Sequence, residues 1–186
     1  DAFDEAYVNG DIDLVDALQF TNLFGSGAVG PLGLSPSPEQ LESLMQTLTD
    51  SNSGYSSGFI EKFATDVLAE RVLAEPRIFT PTEQGAYAGV LLNALSQSGG
   101  STAVHNVMSQ LSSEQQSALR DAVGAEGFAF GNPAHDGANV RDPMAILTEA
   151  VSRHGTSAEV LDLVNYVNGH SSGGILENQF FDSDNK

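Results

Sequence analysis

Apolar side chains recur at intervals of three and four residues along most of this sequence, which is the spacing of one face of an α-helix. The pattern is strongest at Phe59, Phe63 and Val67. Residues 127–131 alternate in the manner of a β-strand, but a single strand would have no partner. The pattern therefore predicts an all-α fold of about eight or nine helices, arranged as a multi-helix bundle or a short array of helix pairs.

Polar residues and glycines mark where these helices begin and end. Most apolar segments follow a Ser, Thr or Asp that can cap a helix, often with Glu or Gln three residues later, as in a capping box. The predicted caps are Asp11, Ser37, Thr80, Ser112, Asp142 and Thr156. Glycine often ends a helix because it adopts backbone conformations that other residues avoid. The predicted ends include Gly99–Gly100, Gly124 and Gly155.

The same spacing predicts which residues face the core in the helix after Asp11 and in the last helix. The inward stripe of the first of these is Leu14, Val15 and Leu18. The inward stripe of the last helix is Val160, Leu163, Val164 and Val167. Both helices are therefore expected to lie on the core through one apolar face.

Residues 80–97 are predicted to form a central helix that its neighbours cover on both sides. Tyr87 and Leu91 belong to an apolar face, while Gly85 and Gly89 keep the other face small. Each glycine in a helix interior costs about 1 kcal/mol relative to alanine. We expect close approach of another helix to compensate, and we expect Tyr87 and Leu91 to be almost fully buried.

The length of 186 residues suits one domain with a sizeable core. We predict a single helical domain over residues 1–172 and a polar C-terminal tail over residues 173–186. The chain begins with Asp rather than Met, and Phe180 and Phe181 lie close to its end. These features indicate a processed chain or a piece of a longer protein, with the tail at a domain edge.

The charge of the chain limits its partners. It has 25 acidic and 7 basic residues, which give a net charge of −18. Nucleic-acid binding needs a basic surface, and anionic membranes repel an acidic one, so neither partner is expected. The apolar segments are too short to cross a bilayer, so membrane insertion is not expected either. A protein partner, and in particular a basic one, fits this charge best.

The chain has no cysteine, which excludes disulfides, thiolate nucleophiles and zinc–thiolate sites. The absence of cysteine and tryptophan, together with abundant Gly and Ser, resembles the composition of exported bacterial proteins. Glycine-rich segments lack the lysine of a phosphate-binding loop, and no serine lies in a Gly-x-Ser-x-Gly motif. We therefore predict no cofactor.

The longest predicted loop runs from residue 124 to residue 141 and is the first place to expect a binding site. Loops longer than about 12–15 residues inside compact domains are usually functional or disordered. Two phenylalanines argue against disorder, because they would be costly to leave in water. The candidate binding residues are Phe128, Phe130, His135, Asp136, Arg141 and Asp142. The alternative is that this loop only connects two pairs of helices.

Two patterns in the sequence resemble metal-binding motifs. His105 followed by His135–Asp136 and a later Asp resembles the metal site of helical phosphohydrolases, which makes His105, His135 and Asp136 candidate ligands. In that family the His-Asp pair ends an apolar helix, whereas here it follows Gly131-Asn132-Pro133. Residues 50–61 resemble an EF-hand calcium loop, but Tyr55 takes the place of the glycine that the motif needs at position six. The alternatives are that His105 packs or caps a helix and that residues 50–61 form a polar linker.

Two functions follow from these observations. The first is a non-enzymatic, helical protein-interaction module of a larger exported bacterial protein, such as an effector or a toxin-associated protein. The alternative is a hydrolase, with or without a metal, whose site lies in residues 124–142.

Overall fold

The computed structural model describes residues 2–24, 37–75, 79–126 and 142–171, and within these ranges it contains eight α-helices and no β-strand. The helices are α1 (Ala2–Val8), α2 (Leu14–Phe24), α3 (Pro38–Thr49), α4 (Ser57–Val67), α5 (Pro81–Gln110), α6 (Ser113–Glu126), α7 (Pro143–His154) and α8 (Ser157–Ser171). A π-helical turn, Leu68–Val72, continues α4. The prediction of an all-α bundle is confirmed.

Helix α5 forms the centre of the fold and packs against α3, α4, α6 and α7. Tyr87 is 6% exposed and Leu91 is fully buried, as predicted. Gly85 and Gly89 are buried as well. A helix that neighbours cover on both sides can dispense with a polar face, which explains its small and apolar composition.

The predicted end of the central helical segment at Gly99–Gly100 is confirmed, and a second helical segment continues from it across a kink. Gly100 has the non-helical angles φ 65° and ψ −158°, and helical geometry resumes directly after it, so that α5 consists of two helical segments joined at this residue. Positive φ is readily adopted by glycine, because it has no Cβ to clash with the backbone. One residue therefore redirects the chain without a loop.

Most of the helices have an N-terminal cap, in which a side chain accepts a backbone N–H of the first turn. Thr80 Oγ1 accepts the N–H of Glu83 at 3.3 Å, and the Glu83 carboxylate accepts the N–H of Thr80 at 2.8 Å. These hydrogen bonds hold the pKa of Glu83 below its usual value. The predicted caps at Ser37, Ser112, Asp142 and Thr156 are also confirmed.

The predicted cap at Asp11 is wrong. The backbone N–H of Asp11 donates to the carbonyl of Ala6 at 2.8 Å, which places Asp11 in the turn that ends α1. Helix α2 begins three residues later, and the Asp13 carboxylate accepts the N–H of Asp16 at 2.9 Å. Asp13 therefore caps α2.

Two partly buried polar contacts attach the short helix α1 to α4. Asp4 is only 4% exposed, and its carboxylate accepts the N–H of Ser56 at 2.6 Å and the hydroxyl of Ser56 at 2.7 Å. The hydroxyl of Tyr7 donates to Asp66 Oδ2 at 2.6 Å, and Lys62 Nζ donates to the same oxygen at 2.9 Å. Burial, followed by the contact with Asp66, raises the pKa of Tyr7 above its usual range.

An aromatic cluster lies between α1 and α4, with Phe59 at its centre. The ring of Phe59 lies 4.7 Å from Tyr55, 5.0 Å from Tyr7, 6.0 Å from Phe3 and 6.2 Å from Phe63, measured between centroids. These are the separations of favourable aromatic pairs. The cluster and the two polar contacts together fix α1 in place.

The π-helical turn that continues α4 is stabilised by glutamines from two other helices. Gln84 on α5 donates to the carbonyl of Val72 at 2.8 Å, and Gln115 on α6 donates to the carbonyl of Ala69 at 3.2 Å. A π turn interrupts the regular ladder of backbone bonds, so carbonyls near it need other donors. The glutamine amides supply these donors and connect three helices.

The predicted end of α6 at Gly124 is wrong, because the helix continues to Glu126. The absence of a side chain at Gly124 instead leaves room for a residue of α8. A Cβ at this position would collide with the hydroxyl of Tyr166 on α8. That hydroxyl donates to the carbonyl of Arg120, one turn earlier on α6, at 3.0 Å. Gly124 therefore provides the space in which α8 contacts α6.

Two residues predicted to face the core, Val15 and Val164, are instead 40% and 47% exposed. Each comes directly after a buried leucine in its helix, and adjacent residues of a helix point in directions that differ by about 100°. Val15 follows Leu14, and Val164 follows Leu163. In α2 the fully buried Ala17 takes the core position instead.

The described side chains build one connected hydrophobic core. Within the described ranges, none of the helices has both the length and the apolar content needed to cross a membrane. The predicted tail over residues 173–186 lies outside the described residues.

Candidate functional site

The loop predicted to carry a binding site lies almost entirely outside the described residues. This applies to Phe128, Phe130, His135, Asp136 and Arg141. Asp142 is described, and its carboxylate accepts the N–H of Met144 at 2.9 Å as the cap of α7. The role of Asp142 in the structure is therefore to begin a helix, and the prediction for the other five residues remains a prediction.

In the calcium-type segment, residues 50–56 connect α3 to α4, and residues 57–61 form the start of α4. Asp50 Oδ1 accepts the N–H of Asn52 at 2.7 Å, while Glu61 accepts from the side-chain amide of Asn106 at 3.1 Å. Asp50 therefore bonds within the turn that follows α3, whereas Glu61 bonds to a residue of α5. Among the described residues, no three His, Asp or Glu side chains are arranged to hold a metal ion.

A histidine cluster lies where three helices meet beside the kink in α5. We use this name for Ser101, His105, His154 and Glu159. Ser101 and His105 come from the second half of α5, His154 from the last turn of α7 and Glu159 from the first turn of α8. The rings of His105 and His154 lie 5.9 Å apart between centroids. The sequence offered no sign of this meeting, because His105 and His154 are 49 positions apart.

Glu159 has two roles in this cluster. One carboxylate oxygen, Oε2, accepts the N–H of Thr156 at 2.6 Å and completes the capping box of α8. The other oxygen, Oε1, lies 3.8 Å from Nε2 of His105. Hydrogen bonds from Thr156, and to a smaller extent the contact with His105, hold the pKa of Glu159 below its usual value. The carboxylate therefore stays charged into mildly acidic conditions.

Ser101 and His154 form the pair in the cluster that could support nucleophilic chemistry. The Oγ of Ser101 lies 3.0 Å from Nε2 of His154, and the Oγ1 of Thr102 lies 3.4 Å from the same nitrogen. A serine nucleophile needs a base at about this distance, but the base is normally oriented by a third group. Within the described residues, no hydrogen bond orients the second ring nitrogen of His154, so the pair is incomplete as a catalytic triad.

A different feature is the apolar surface on α8. Leu161 is 59% exposed and Val164 is 47% exposed, the two highest values among the large apolar side chains described as exposed. Their spacing of three residues places them side by side on the helix. We define the α8 outer face as Ala158, Leu161, Val164 and Asn165, all of which are exposed.

The opposite face of α8 holds the helix on the bundle. Leu163 is 6% exposed, Val160 and Val167 are partly buried, and Tyr166 bonds to the carbonyl of Arg120. Burial raises the pKa of Tyr166, with Asp121 adding to the effect. Since the helix already has an inward face, Leu161 and Val164 form a second apolar strip that the sequence pattern did not separate from the first.

Comparisons with protein-family models, curated proteins and solved structures found no match to this chain. Function must therefore be inferred from the surfaces and side chains of the molecule itself.

Proposed function

We propose that this chain is a non-enzymatic protein-interaction module and that the α8 outer face docks a basic protein partner. The observation that carries the proposal is the exposure of Leu161 and Val164 on a helix whose opposite face is already packed. Isolated exposed apolar residues are common and need no explanation. Two that adjoin on one helix match the pattern of helix-in-groove recognition, in which anchors recur at three- and four-residue spacing.

The energy available from such a surface is modest but useful. Burying a leucine or valine side chain that was fully exposed contributes about 1.5–3 kcal/mol. Leu161 and Val164 are each about half exposed, so a partner groove would gain roughly half of that value from each of them. This gain suits a specific contact that is supported by further polar and charged interactions at its rim.

The charge of the chain favours a basic partner. Asp162 is exposed beside Leu161, and the whole chain carries a net charge of −18. A partner with an apolar groove rimmed by Lys or Arg would be complementary to this surface, whereas an acidic partner would be repelled. As a protein exported by a bacterium, for example an effector or a toxin-associated protein, the module would serve to hold such a partner.

The test is capture of a partner by the immobilised protein from fractions of the native host, followed by titration of the captured protein by calorimetry. The double variant Leu161→Ser with Val164→Ser should weaken binding about tenfold or more, because two apolar anchors are lost. The matched control is Val8→Ser with Val15→Ser, which alters two other exposed valines, at 41% and 40% exposure. Equal affinity of both double variants, or failure to capture any protein, would contradict the proposal.

A hydrolase remains the second candidate, since Ser101 Oγ lies within hydrogen-bond distance of His154 Nε2. A screen of chromogenic carboxylic and phosphate esters, with and without divalent metals, would detect it. Loss of turnover in Ser101→Ala would assign the chemistry to the histidine cluster. Loss in His135→Ala with Asp136→Ala would assign it to the 124–142 segment. The absence of turnover on every substrate would count against an enzyme of this type.

A further inference from the structure

The starting point is a buried nitrogen in the histidine cluster. Nε2 of His105 is inaccessible to water and has no hydrogen-bond partner, although the whole side chain is 19% exposed. The nearest charged group is Oε1 of Glu159, at 3.8 Å. A buried polar atom without a partner is unfavourable, whereas the same atom carrying a proton toward a carboxylate gains an ion pair.

We propose that His105 and Glu159 form a pH-dependent latch that holds the start of α8 more firmly against α5 when His105 is protonated. Histidine is the side chain that ordinarily changes charge between pH 5 and 8. Glu159 already closes the capping box of α8 with its other oxygen, so an attraction at Oε1 acts directly on the first turn of that helix. The functional consequence rests on the proposed docking role of α8, because the latch sets how rigidly the α8 outer face is presented.

The charged groups around His105 decide the sign of this effect. Beside His105 lie Glu159, the ring of His154 and Glu61 on α4, which is bonded to the adjacent Asn106. The neighbouring helices carry further charged residues, namely the Arg153–Glu149 ion pair on α7, Asp162 on α8, and Arg120 and Asp121 on α6. The closest opposite charge is Glu159, at 3.8 Å, while the ring of His154 is centred 5.9 Å away. His154 is exposed, so water screens its charge, and attraction to Glu159 outweighs repulsion from His154.

The pH window follows from these two groups. Protonation of the imidazole adds the attraction, and histidine side chains in general change charge between pH 5 and 8. The lowered pKa of Glu159 means that its carboxylate remains charged below the usual range for glutamate, so the ion pair persists into moderately acidic solution. The latch is therefore strongest in mildly acidic solution and weakens on either side.

The chain itself suggests a variant that separates the two roles of Glu159. Elsewhere in this protein a glutamine completes a capping box, since Gln40 accepts the N–H of Ser37 at 2.8 Å and Gln115 accepts the N–H of Ser112 at 3.0 Å. Glu159→Gln should therefore keep the cap of α8 while removing the charge that faces His105. The substitution tests the latch without unfolding the helix.

The experiment is amide hydrogen exchange at residues 160–167, measured between pH 8 and pH 5.5 and normalised to the amides of α4. In the unaltered protein the protection of these α8 amides should rise about two- to fivefold as pH falls, the size expected for one partly exposed ion pair. Glu159→Gln and His105→Gln should abolish the rise, while His154→Gln should preserve it. A flat profile in the unaltered protein, or an unchanged rise in Glu159→Gln, would overturn the proposal.

This measurement needs no partner, so its failure is distinct from failure of the docking proposal. A latch without a docking partner would leave the exchange result intact and the capture experiment negative. Docking without a latch would give a flat exchange profile and a captured partner.

Discussion

The helices at the two ends of the described chain, α1 and α8, differ in how they are attached. Helix α1 has only seven residues, yet Tyr7 is fully buried and Asp4 is 4% exposed. Helix α8 has fifteen residues, but between Val160 and Val167 only Leu163 is fully within the core, at 6% exposure. The shorter helix is therefore the more tightly integrated one.

The difference shows that the environment of a helix matters more than its length. Isolated helices shorter than about 12–15 residues are marginal in water, so α1 depends on its tertiary contacts. Those contacts include an aromatic cluster, the buried carboxylate of Asp4 and the partly buried carboxylate of Asp66. Helix α8 can form with fewer of them, which leaves one face available. Elements with few buried contacts are those from which binding surfaces are usually drawn.

The largest expected effect is the loss of the aromatic cluster that holds α1. Phe59→Ala should destabilise the protein by about 3–5 kcal/mol, because it removes the ring at the centre of the cluster and leaves a cavity. Urea denaturation followed by circular dichroism would measure the change. A loss below about 1 kcal/mol would mean that α1 does not depend on this cluster.

The second effect concerns the polar attachment of α1. Asp4→Ala should cost about 1–3 kcal/mol, because the N–H and hydroxyl of Ser56 lose this buried acceptor. Asp11→Ala is the matched control, since it removes the same charge from an exposed position in the neighbouring turn. The control should change stability by no more than about 0.5 kcal/mol. Similar losses in the two variants would show that overall charge, rather than the contact with Ser56, is responsible.

Local rules account for what could be predicted from the sequence. The capping boxes at Ser37, Thr80 and Thr156 depend on residues three positions apart, and all three are present. The burial of Tyr87 and Leu91 followed from helical spacing alone. Such features need no knowledge of which helices become neighbours.

Features that depend on distant neighbours could not be predicted. Asp4 meets Ser56 across 52 positions, and Tyr7 meets Asp66 across 59. For the same reason, the histidine cluster was missed although His105 had been noted as a candidate. Periodicity also fails to show which of two adjacent apolar residues faces inward, which is why Val164 was assigned to the core.

A smaller effect tests how α8 is attached to α6. In an exposed helix interior, Gly→Ala gains about 1 kcal/mol, but at Gly124 the new Cβ would collide with the hydroxyl of Tyr166. Gly124→Ala should therefore gain little or lose stability in the unaltered protein. It should be more favourable by about 1 kcal/mol in the Tyr166→Phe background, where the hydroxyl is gone. A double-mutant cycle from thermal unfolding gives the coupling, and a coupling of zero would mean that α8 does not contact α6 at Gly124.

The smallest expected effect concerns the α8 outer face and completes the contrast with α1. Leu161→Ser with Val164→Ser should leave the free energy of unfolding within about 0.5 kcal/mol, because both side chains lie at the surface and are about half exposed. Removing an apolar side chain from the α1 attachment is costly, whereas removing two from α8 should not be. Denaturation of this double variant alongside Phe59→Ala measures the contrast directly. A loss of more than about 1 kcal/mol would indicate that Leu161 and Val164 support the fold of the protein itself, and the apolar strip would no longer require a partner to explain it.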